Sequence, residues 1–302
     1  MKIGIDLGGS HIAIGVVNEK GFIVEKKEKR ILAKDKKYIK KFIEEYIVTN
    51  VNEIINKYKI TQIGIAIPGS LNKTTIIRSV NLGIKDYNIV EALTEKINIP
   101  IYIKNDAKCA ALAENSYGCL TKYNRSVFLT LGTGIGGAVI INDKLLDTGE
   151  LPGCEFGHIV IEKNGIECNC GKKGCFEKYA SMKMLKNNLR KALRLDETTR
   201  GQELLEIIRN NKPGNDNYKI IENIVEQYIE NLSIGISNLI NIFEPEVVGI
   251  GGSFVYFQDV LLERLKNSLL KNNLLFNKQK EIIIKQATLG NDAGIIGATL
   301  IK

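Results

Sequence analysis

Hydrophobic and polar residues alternate along two segments of the chain that are interrupted by glycines. Residues 2–18 read KIGIDLGGSHIAIGVVN, and residues 127–142 read VFLTLGTGIGGAVIIN. Alternation on both sides of a short glycine turn is typical of a β-hairpin. Each segment therefore predicts two strands joined by a tight turn, and Asp6 ends the first of these strands. The recurrence of this plan suggests an internal duplication.

Strand and helix patterns alternate between and after these hairpins. Apolar residues at helical spacing predict an amphipathic helix over 36–58. Further strands are predicted over 61–69, in IPIYIKND up to Asn105 and Asp106, in EVVGIGGS, and over 281–288. Further helices are predicted in AKCAALAENSYG, over 182–195, 203–210, 218–243 and 260–271, and from Asp292. The alternation predicts an α/β fold with partly parallel strands.

The composition is that of an ordinary soluble globular protein. The 302 residues suffice for two domains, and 44% of them are hydrophobic while 25% are charged. No apolar run approaches the roughly 20 residues that cross a bilayer, so we expect no membrane partner. The first residue leads directly into a strand pattern, and we therefore expect no signal peptide and a cytoplasmic location.

The net charge of +8 raises the question of a nucleic-acid partner. The lysines, however, are scattered through predicted helical faces rather than gathered into one patch. No nucleic-acid-binding motif accompanies the charge. We therefore expect no nucleic-acid partner.

One segment, from Gly153 to Glu177, carries a metal-ligand pattern. It reads H-x9-C-x-C-x4-C, and its members are His158, Cys168, Cys170 and Cys175. One imidazole and three thiolates form a full tetrahedral set for zinc with no position left for water, which indicates a structural metal. The alternative is that the cysteines are buried or disulfide-bonded. A glycine-rich, lysine-flanked loop is a poor core segment, so the pattern favours zinc.

Three glycine turns end strands that the pattern predicts to be buried. They lie at residues 8–10, 132–137 and 251–253. Backbone amides at such turns often bind phosphate, although glycine pairs also serve plain hairpins. The spacing of Gly132, Gly134 and Gly137 matches the dinucleotide fingerprint, but a strand follows where that fingerprint requires a helix. No GK[ST] follows any of the turns, and the protein-kinase motifs are missing, so both of those phosphate-binding classes are excluded.

Several motifs taken together resemble those of the ROK family of sugar kinases and related repressors. These motifs are IDLGGS, LGTGIGG, GCEFGH, CNCGKKGCFE and GNDAGIIGAT, and they run through essentially the whole chain. The resemblance implies a two-lobed actin/hexokinase-like ATPase fold with the active site in the interdomain cleft. It also implies a first domain over 1–118, completed by 291–302, a second domain over 119–290, and a homodimer.

The resemblance also implies roles for individual residues. The first phosphate loop comprises Asp6, near Mg²⁺, with Gly8, Gly9 and Ser10. The second phosphate loop comprises Gly132, Thr133 and Gly134, and the adenosine contacts are Gly251 and Gly252. The sugar contacts are Gly69, Asn81, Asn105, Asp106, Glu155, His158 and Glu177. The chain departs from the family's pattern at His11, where many members have lysine, and by lacking the tryptophan that often follows Gly83.

These features predict ATP-dependent phosphorylation of a hexose, with glucose to glucose 6-phosphate as the leading hypothesis. Transfer to a hydroxyl needs a carboxylate that accepts its proton, and Asp106, between a strand and a helix, fits that role. The alternative is that Asp106 only caps the helix. Other hypotheses are an N-acetylmannosamine kinase, a fructokinase, or a sugar-responsive regulator without catalysis. Repressors of the family carry an N-terminal winged helix, which we expect to be missing because the chain opens on the IDLGGS strand.

Overall fold

The chain divides into two compact units. The computed structural model describes residues 1–146, 153–271, 274–276 and 282–302. Unit 1 comprises Met1–Lys122, Asp143–Cys154 and Thr288–Lys302, and unit 2 comprises Tyr123–Asn142 and Glu155–Ala287. The domain bounds implied by the family resemblance stay a prediction.

Unit 1 is built on a mixed five-stranded sheet. Its strands in chain order are β1 (Lys2–Leu7), β2 (His11–Val17), β3 (Ile23–Arg30), β4 (Ile63–Ile67), β5 (Ser70–Leu71), β6 (Thr75–Ser79), β7 (Ile84–Asn88) and β8 (Ile101–Asn105). The main sheet has the order β3-β2-β1-β4-β8, while β5, β6 and β7 form a small second sheet. The β1–β2 and β2–β3 pairs are antiparallel, whereas β1–β4 and β4–β8 are parallel.

Three helices follow these strands in unit 1, namely α1 (Ile39–Ile55), α2 (Ile89–Thr94) and α3 (Asp106–Tyr117). The buried face of α1 carries Ile39, Ile43, Ile47, Val51 and Ile54, at the spacing that one face of a helix requires. These side chains belong to the same hydrophobic core as the buried residues of β1, β2 and β4. The apolar strands and the helix stripe thus account for the core of unit 1.

Unit 2 repeats the strand order of unit 1. Its strands are β9 (Arg125–Leu131), β10 (Ile135–Ile141), β12 (Val247–Gly252) and β13 (Ile283–Gln286), while the short strand β11 (Lys144–Leu145) belongs to the 143–154 segment. Within unit 2 the order is β10-β9-β12-β13, with one antiparallel pair followed by two parallel pairs. The order β2-β1-β4-β8 in unit 1 has the same directions. This agreement is what an internal duplication would leave.

The remaining helices are α4 (Glu177–Ala180), α5 (Met182–Ala192), α6 (Gly201–Arg209), α7 (Tyr218–Phe243), α8 (Gln258–Lys271) and α9 (Ala293–Ala298). Helix α9 belongs to unit 1 and lies against its sheet: a Cβ on Gly64 of β4 would lie 1.8 Å from the carbonyl oxygen of Ala298. Glycine at that position therefore permits the close approach. In the part of the chain that the structure describes, no helix is both long enough and apolar enough to cross a bilayer.

Most predicted elements are confirmed, with shifted bounds. The helix predicted over 36–58 begins at Ile39 after a 3₁₀ turn, and the one predicted over 182–195 ends at Ala192. The strand predicted over 281–288 begins outside the described residues and is seen over Ile283–Gln286. Strand β3 was not predicted, because its sequence IVEKKEKR is rich in charge. It is an edge strand whose residues are half-buried or exposed, where charged side chains are tolerated.

Candidate functional site

The predicted site residues of unit 1 gather at one edge of its sheet. Parallel strands β1, β4 and β8 pair so that Asp6 lies opposite Ala66, and Ile67 lies opposite Asn105. Their carboxyl ends therefore lie side by side. In α/β sheets, ligands bind outside the carboxyl ends of such strands.

The first glycine turn brings Asp6 and His11 together. His11 Nε2 lies 3.7 Å from Oδ2 of Asp6, and the Gly8 amide donates a 2.9 Å hydrogen bond to the His11 carbonyl. The Asp6 carboxylate raises the pKa of His11, and burial of the ring partly opposes this rise. A Cβ on Gly8 would lie 2.7 Å from Cε1 of His11, so the imidazole covers this glycine. The family departure at His11 thus places a ring directly beside the predicted phosphate loop.

A cavity of about 370 Å³ opens beside this turn. Asp6, His11, Glu28, Lys29 and Arg30 are among its lining residues. Cationic and anionic groups therefore both line it.

Asp6 also contacts the C-terminal part of the chain. A Cβ on Gly294 would lie 2.7 Å from Cγ of Asp6, so the start of α9 packs against this carboxylate. Gly294 was not among the residues predicted for the site. The only signal for it in the sequence was the GNDAGIIGAT motif, which carries no chemistry of its own.

Two of the predicted sugar contacts of unit 1 touch each other, and a third touches the predicted phosphate turn. Asn105 Nδ2 donates a 3.3 Å hydrogen bond to the carbonyl of Gly69. Gly69 has a φ of 111°, and a Cβ there would lie 2.3 Å from the Arg78 carbonyl oxygen, so only glycine fits. Asn81 packs against Gly9, where a Cβ would lie 2.9 Å from Cβ of Asn81. The structure thus joins Asn81 to the predicted phosphate turn within unit 1.

Asp106 is the first residue of α3, and Asn105 is its N-cap. Asn105 Oδ1 accepts hydrogen bonds from the amides of Ala107 at 3.0 Å and Lys108 at 3.3 Å. Asp106 Oδ1 accepts from the Ala107 amide at 2.9 Å. Asn105 therefore occupies the capping position, and Asp106 shares the Ala107 amide with it. A carboxylate in the first turn of a helix is favoured in its charged form.

In unit 2 the glycine turns lie at the carboxyl edge of the sheet as well. Gly252 of β12 lies opposite Leu131 of β9, so Gly132, Thr133 and Gly134 follow directly beside Gly252. Gly252 has a φ of 72°. The third turn differs from the prediction, because Gly251 and Gly252 both belong to β12 and the chain turns only at Ser253. The amide of Lys183 near the start of α5 donates to the Gly132 carbonyl at 3.0 Å and anchors the loop.

The predicted zinc ligands converge in unit 2. One ligand atom from each of His158, Cys168, Cys170 and Cys175 lies within 4.8 Å of all the others. His158 Nδ1 lies 3.6 Å from Sγ of Cys168, and the Sγ atoms of Cys170 and Cys175 are 3.5 Å apart. Zinc–sulfur bonds of about 2.3 Å in a tetrahedron imply sulfur separations of about 3.8 Å. The set is thus compatible with structural zinc, and the disulfide alternative is wrong because these cysteines are free thiols.

The cluster's thiols differ in acidity in the metal-free protein. Burial raises the pKa of Cys168, and burial raises the pKa of Cys175 to about 12. The backbone N–H of Lys172 lowers the pKa of Cys170. A zinc ion would therefore displace protons from the buried thiols as it binds.

Glu177 connects the cysteine cluster to the second phosphate loop. Its Oε1 lies 3.4 Å from Sγ of Cys168 and 3.9 Å from Nδ1 of His158. A Cβ on Gly134 would lie 2.6 Å from its Oε2. Glu155 lies immediately before the 3₁₀ helix Phe156–His158, and its carbonyl accepts from the His158 amide at 3.0 Å. The structure thus brings Gly134, His158 and Glu177 together, as their predicted roles require.

Two α/β units with the same strand order, each with glycine loops at the carboxyl edge, define the actin/hexokinase-like class of fold. The chain belongs to the ROK family, whose family model matches residues 2–302. It is 30% identical over 315 residues to a glucokinase of Halalkalibacterium halodurans, covering 98% of this chain and 92% of the relative. It is 29% identical to a xylose repressor of Caldicellulosiruptor bescii, covering 90% of this chain and 71% of the repressor. A ROK hexokinase structure from Thermus thermophilus superposes with a TM-score of 0.79 at 28% identity, covering 99% and 96% of the two chains.

Proposed function

We propose that the protein is an ATP-dependent hexose kinase that converts glucose to glucose 6-phosphate. The observation that carries the proposal is the position of Asp106. Its carboxylate begins α3 at the carboxyl edge of the unit 1 sheet, while the neighbouring Asn105 satisfies the helix amides. Asp106 would accept the proton of a substrate hydroxyl at this edge. The relatives named glucokinase and hexokinase support this assignment.

The proposed roles divide between the units. In unit 1, Gly69, Asn81, Asn105 and Asp106 would hold the sugar, and Gly8, Gly9 and Ser10 would contact the donor's phosphates. In unit 2, Gly132, Thr133 and Gly134 would bind phosphate, and Gly251 and Gly252 would contact the adenosine. Glu155, His158 and Glu177 complete the proposed set of sugar contacts. Each group matches chemistry that phosphoryl transfer needs, namely positioning of phosphates and acceptors for sugar hydroxyls.

Two metals fit this proposal. Asp6 would lie near Mg²⁺, which neutralises charge on the transferred phosphoryl group when bound. The cluster of His158, Cys168, Cys170 and Cys175 would hold zinc in a structural role. Because Nδ1 of His158 faces the cysteines, Nε2 is the nitrogen that would contact a sugar. A homodimer remains an expectation from the family resemblance, and a cytoplasmic location remains one from the sequence alone.

The test is an ADP-release assay over glucose, fructose, mannose and N-acetylmannosamine, with Asp106→Asn as the matched variant. We expect turnover with glucose that is lost in the variant. Faster turnover with fructose or N-acetylmannosamine than with glucose would make that sugar the substrate instead. The similarity to a xylose repressor favours a second candidate, a sugar-responsive regulator. Calorimetric sugar binding without turnover on any hexose would favour that candidate.

A further inference from the structure

One carboxylate outside the proposed site is completely buried. Glu114 lies on α3 in unit 1, and it is 0% exposed to solvent. Burying a carboxylate is costly unless strong hydrogen bonds compensate. A buried carboxylate with no part in the proposed reaction therefore requires a reason.

Glu114 accepts four hydrogen bonds through its side chain. Oε1 accepts from the amides of Thr288 and Leu289, both at 2.8 Å. Oε2 accepts from the Cys119 amide at 2.7 Å and from the Thr288 hydroxyl at 3.1 Å. Three of the four partners are backbone amides, which can only donate, so both oxygens of the side chain act as acceptors. An amide at this position would turn an NH₂ group toward two of these donors.

The donors lie beside two of the four points where the chain passes between the units. The chain first leaves unit 1 after Lys122 and returns to it for the last time at Thr288, while residues 143–154 lie between these points and also belong to unit 1. Cys119 lies shortly before the first passage, and Thr288 and Leu289 lie directly after the last. One side chain thus fixes the segments at the first and last passages to α3. The backbone carbonyl of Glu114 adds bonds from the amides of Gly118 at 3.0 Å and Leu120 at 3.1 Å.

The lack of a side chain at Gly118 makes room for the Glu114 carboxylate. A Cβ there would lie 2.0 Å from Oε2 of Glu114, which is too close for any side chain at this position. Its φ of −126° lies outside the left-handed region, and the contact that a Cβ would make first is with the carboxylate. The glycine that ends α3 therefore leaves room for the Glu114 side chain.

We propose that Glu114 is a positioning residue that holds the first and last connecting segments fixed to the helix that begins with Asp106. The same helix then carries the proposed general base at its start and the anchor of these two connections near its end. The expected effect on turnover rests on the proposed function. The effect on the connecting segments does not.

The test compares wild type with Glu114→Gln in the full-length protein. Hydrogen exchange resolved to single amides should show protection at Cys119, Thr288 and Leu289 falling by about tenfold or more. With the substrate found for the wild type, kcat should fall by about tenfold or more while KM for the sugar stays within about threefold. Misplacement of catalytic groups by about 1 Å can cost about 10²-fold in rate without loss of binding.

Two further variants keep the test decisive. Gly118→Ala displaces the Glu114 carboxylate but leaves residue 114 a glutamate, and it should reproduce both effects. It therefore also tests the proposal if Glu114→Gln fails to fold. The control is a variant of Ile43, a core residue of α1. Of Ile43→Val and Ile43→Ala, the one whose loss of melting temperature is nearer to that of Glu114→Gln is used. It should leave the three amides protected and kcat unchanged. Unaltered exchange in both Glu114→Gln and Gly118→Ala, an unaltered kcat, or an equal loss of kcat in the control would overturn the proposal. A wild type inactive on every hexose would instead refute the kinase, while the exchange data still decide whether Glu114 anchors the segments.

Discussion

Glu177 and Gly134 are packed so closely that a Cβ on Gly134 would lie 2.6 Å from Oε2 of Glu177. The other oxygen of Glu177 faces Cys168 and His158. The proposed phosphate loop and the cysteine–histidine cluster are therefore in contact through one carboxylate, so a change in either should alter the geometry of the other.

Gly134→Ala should displace the Glu177 carboxylate and disturb the cluster behind it. We expect weaker zinc retention and a fall in kcat/KM of about tenfold or more, because misplaced contacts reduce transition-state stabilisation. Metal analysis after dialysis against a chelator measures the first effect. Gly132→Ala is the matched control, because a Cβ there has nothing within 4 Å. Equal zinc retention in the two variants would show that the contact between Gly134 and Glu177 does not affect the cluster.

Cys170→Ser should remove the metal and the sugar kinase activity together. Three remaining ligands cannot close the tetrahedral set, and the loop that carries Glu177 then loses its fixed geometry. Elemental analysis of the purified wild type should find about one zinc per chain. Cys154→Ser, outside the cluster, should keep both zinc and activity. A wild type without zinc would refute the assignment of this cluster.

Zinc affinity should increase with pH. Burial raises the pKa of Cys168, and it raises that of Cys175 to about 12, so these thiols are protonated in the metal-free protein at neutral pH. Zinc must displace their protons, and its apparent affinity therefore falls as protons become more abundant. Calorimetric titration in buffers of different ionisation enthalpy should detect proton release on binding. Binding without proton release would mean that the thiols are already ionised.

Asp106→Asn should separate binding from turnover. The amide cannot accept the hydroxyl proton, and general-base assistance contributes about 10²–10⁴-fold, so kcat should fall at least about a hundredfold. Sugar binding should persist, and the melting temperature should hardly change because Asn105 caps α3. Asn105→Ala should instead cost about 1 kcal/mol of stability through loss of the cap. Near-normal turnover in Asp106→Asn would require another base.

The pair of Glu222 and Arg264 should stabilise unit 2 at neutral pH but not in acid. Arg264 contacts both oxygens of Glu222, at 2.8 and 3.2 Å, and lowers the carboxyl's pKa below its ordinary value of 4.5. A carboxyl whose pKa is lower in the folded than in the unfolded protein adds to the free energy of unfolding at pH values above its unfolded pKa. This contribution is lost as the pH falls through its folded pKa. Because Arg264 is partly exposed, Glu222→Gln should cost only about 0.5–1 kcal/mol at pH 7. Denaturant titrations of the wild type and variant should converge below pH 4.5, and the exposed Glu230→Gln serves as the control.

Features with local signatures could be predicted from the sequence. The glycine turns mark both hairpins, and the spacing of His158, Cys168, Cys170 and Cys175 places four ligands in one short loop. Contacts between distant segments could not be predicted. Glu114 meets Thr288, and Gly294 meets Asp6, only because the last helix returns to the first sheet. A pattern of hydrophobic residues records which face is buried, but not which distant backbone lies there.

The segment that holds the cysteines buries only part of its apolar surface. Val160 and Ile166 remain 47% and 45% exposed, while glycines at 171 and 174 take positive φ to bend the backbone around the sulfurs. With the proposed zinc bound, coordination would add to this limited burial, and the order of the segment would depend on its metal occupancy. Zinc starvation would then act on this protein as a loss-of-function mutation does, and resupply of the metal would reverse it without new synthesis.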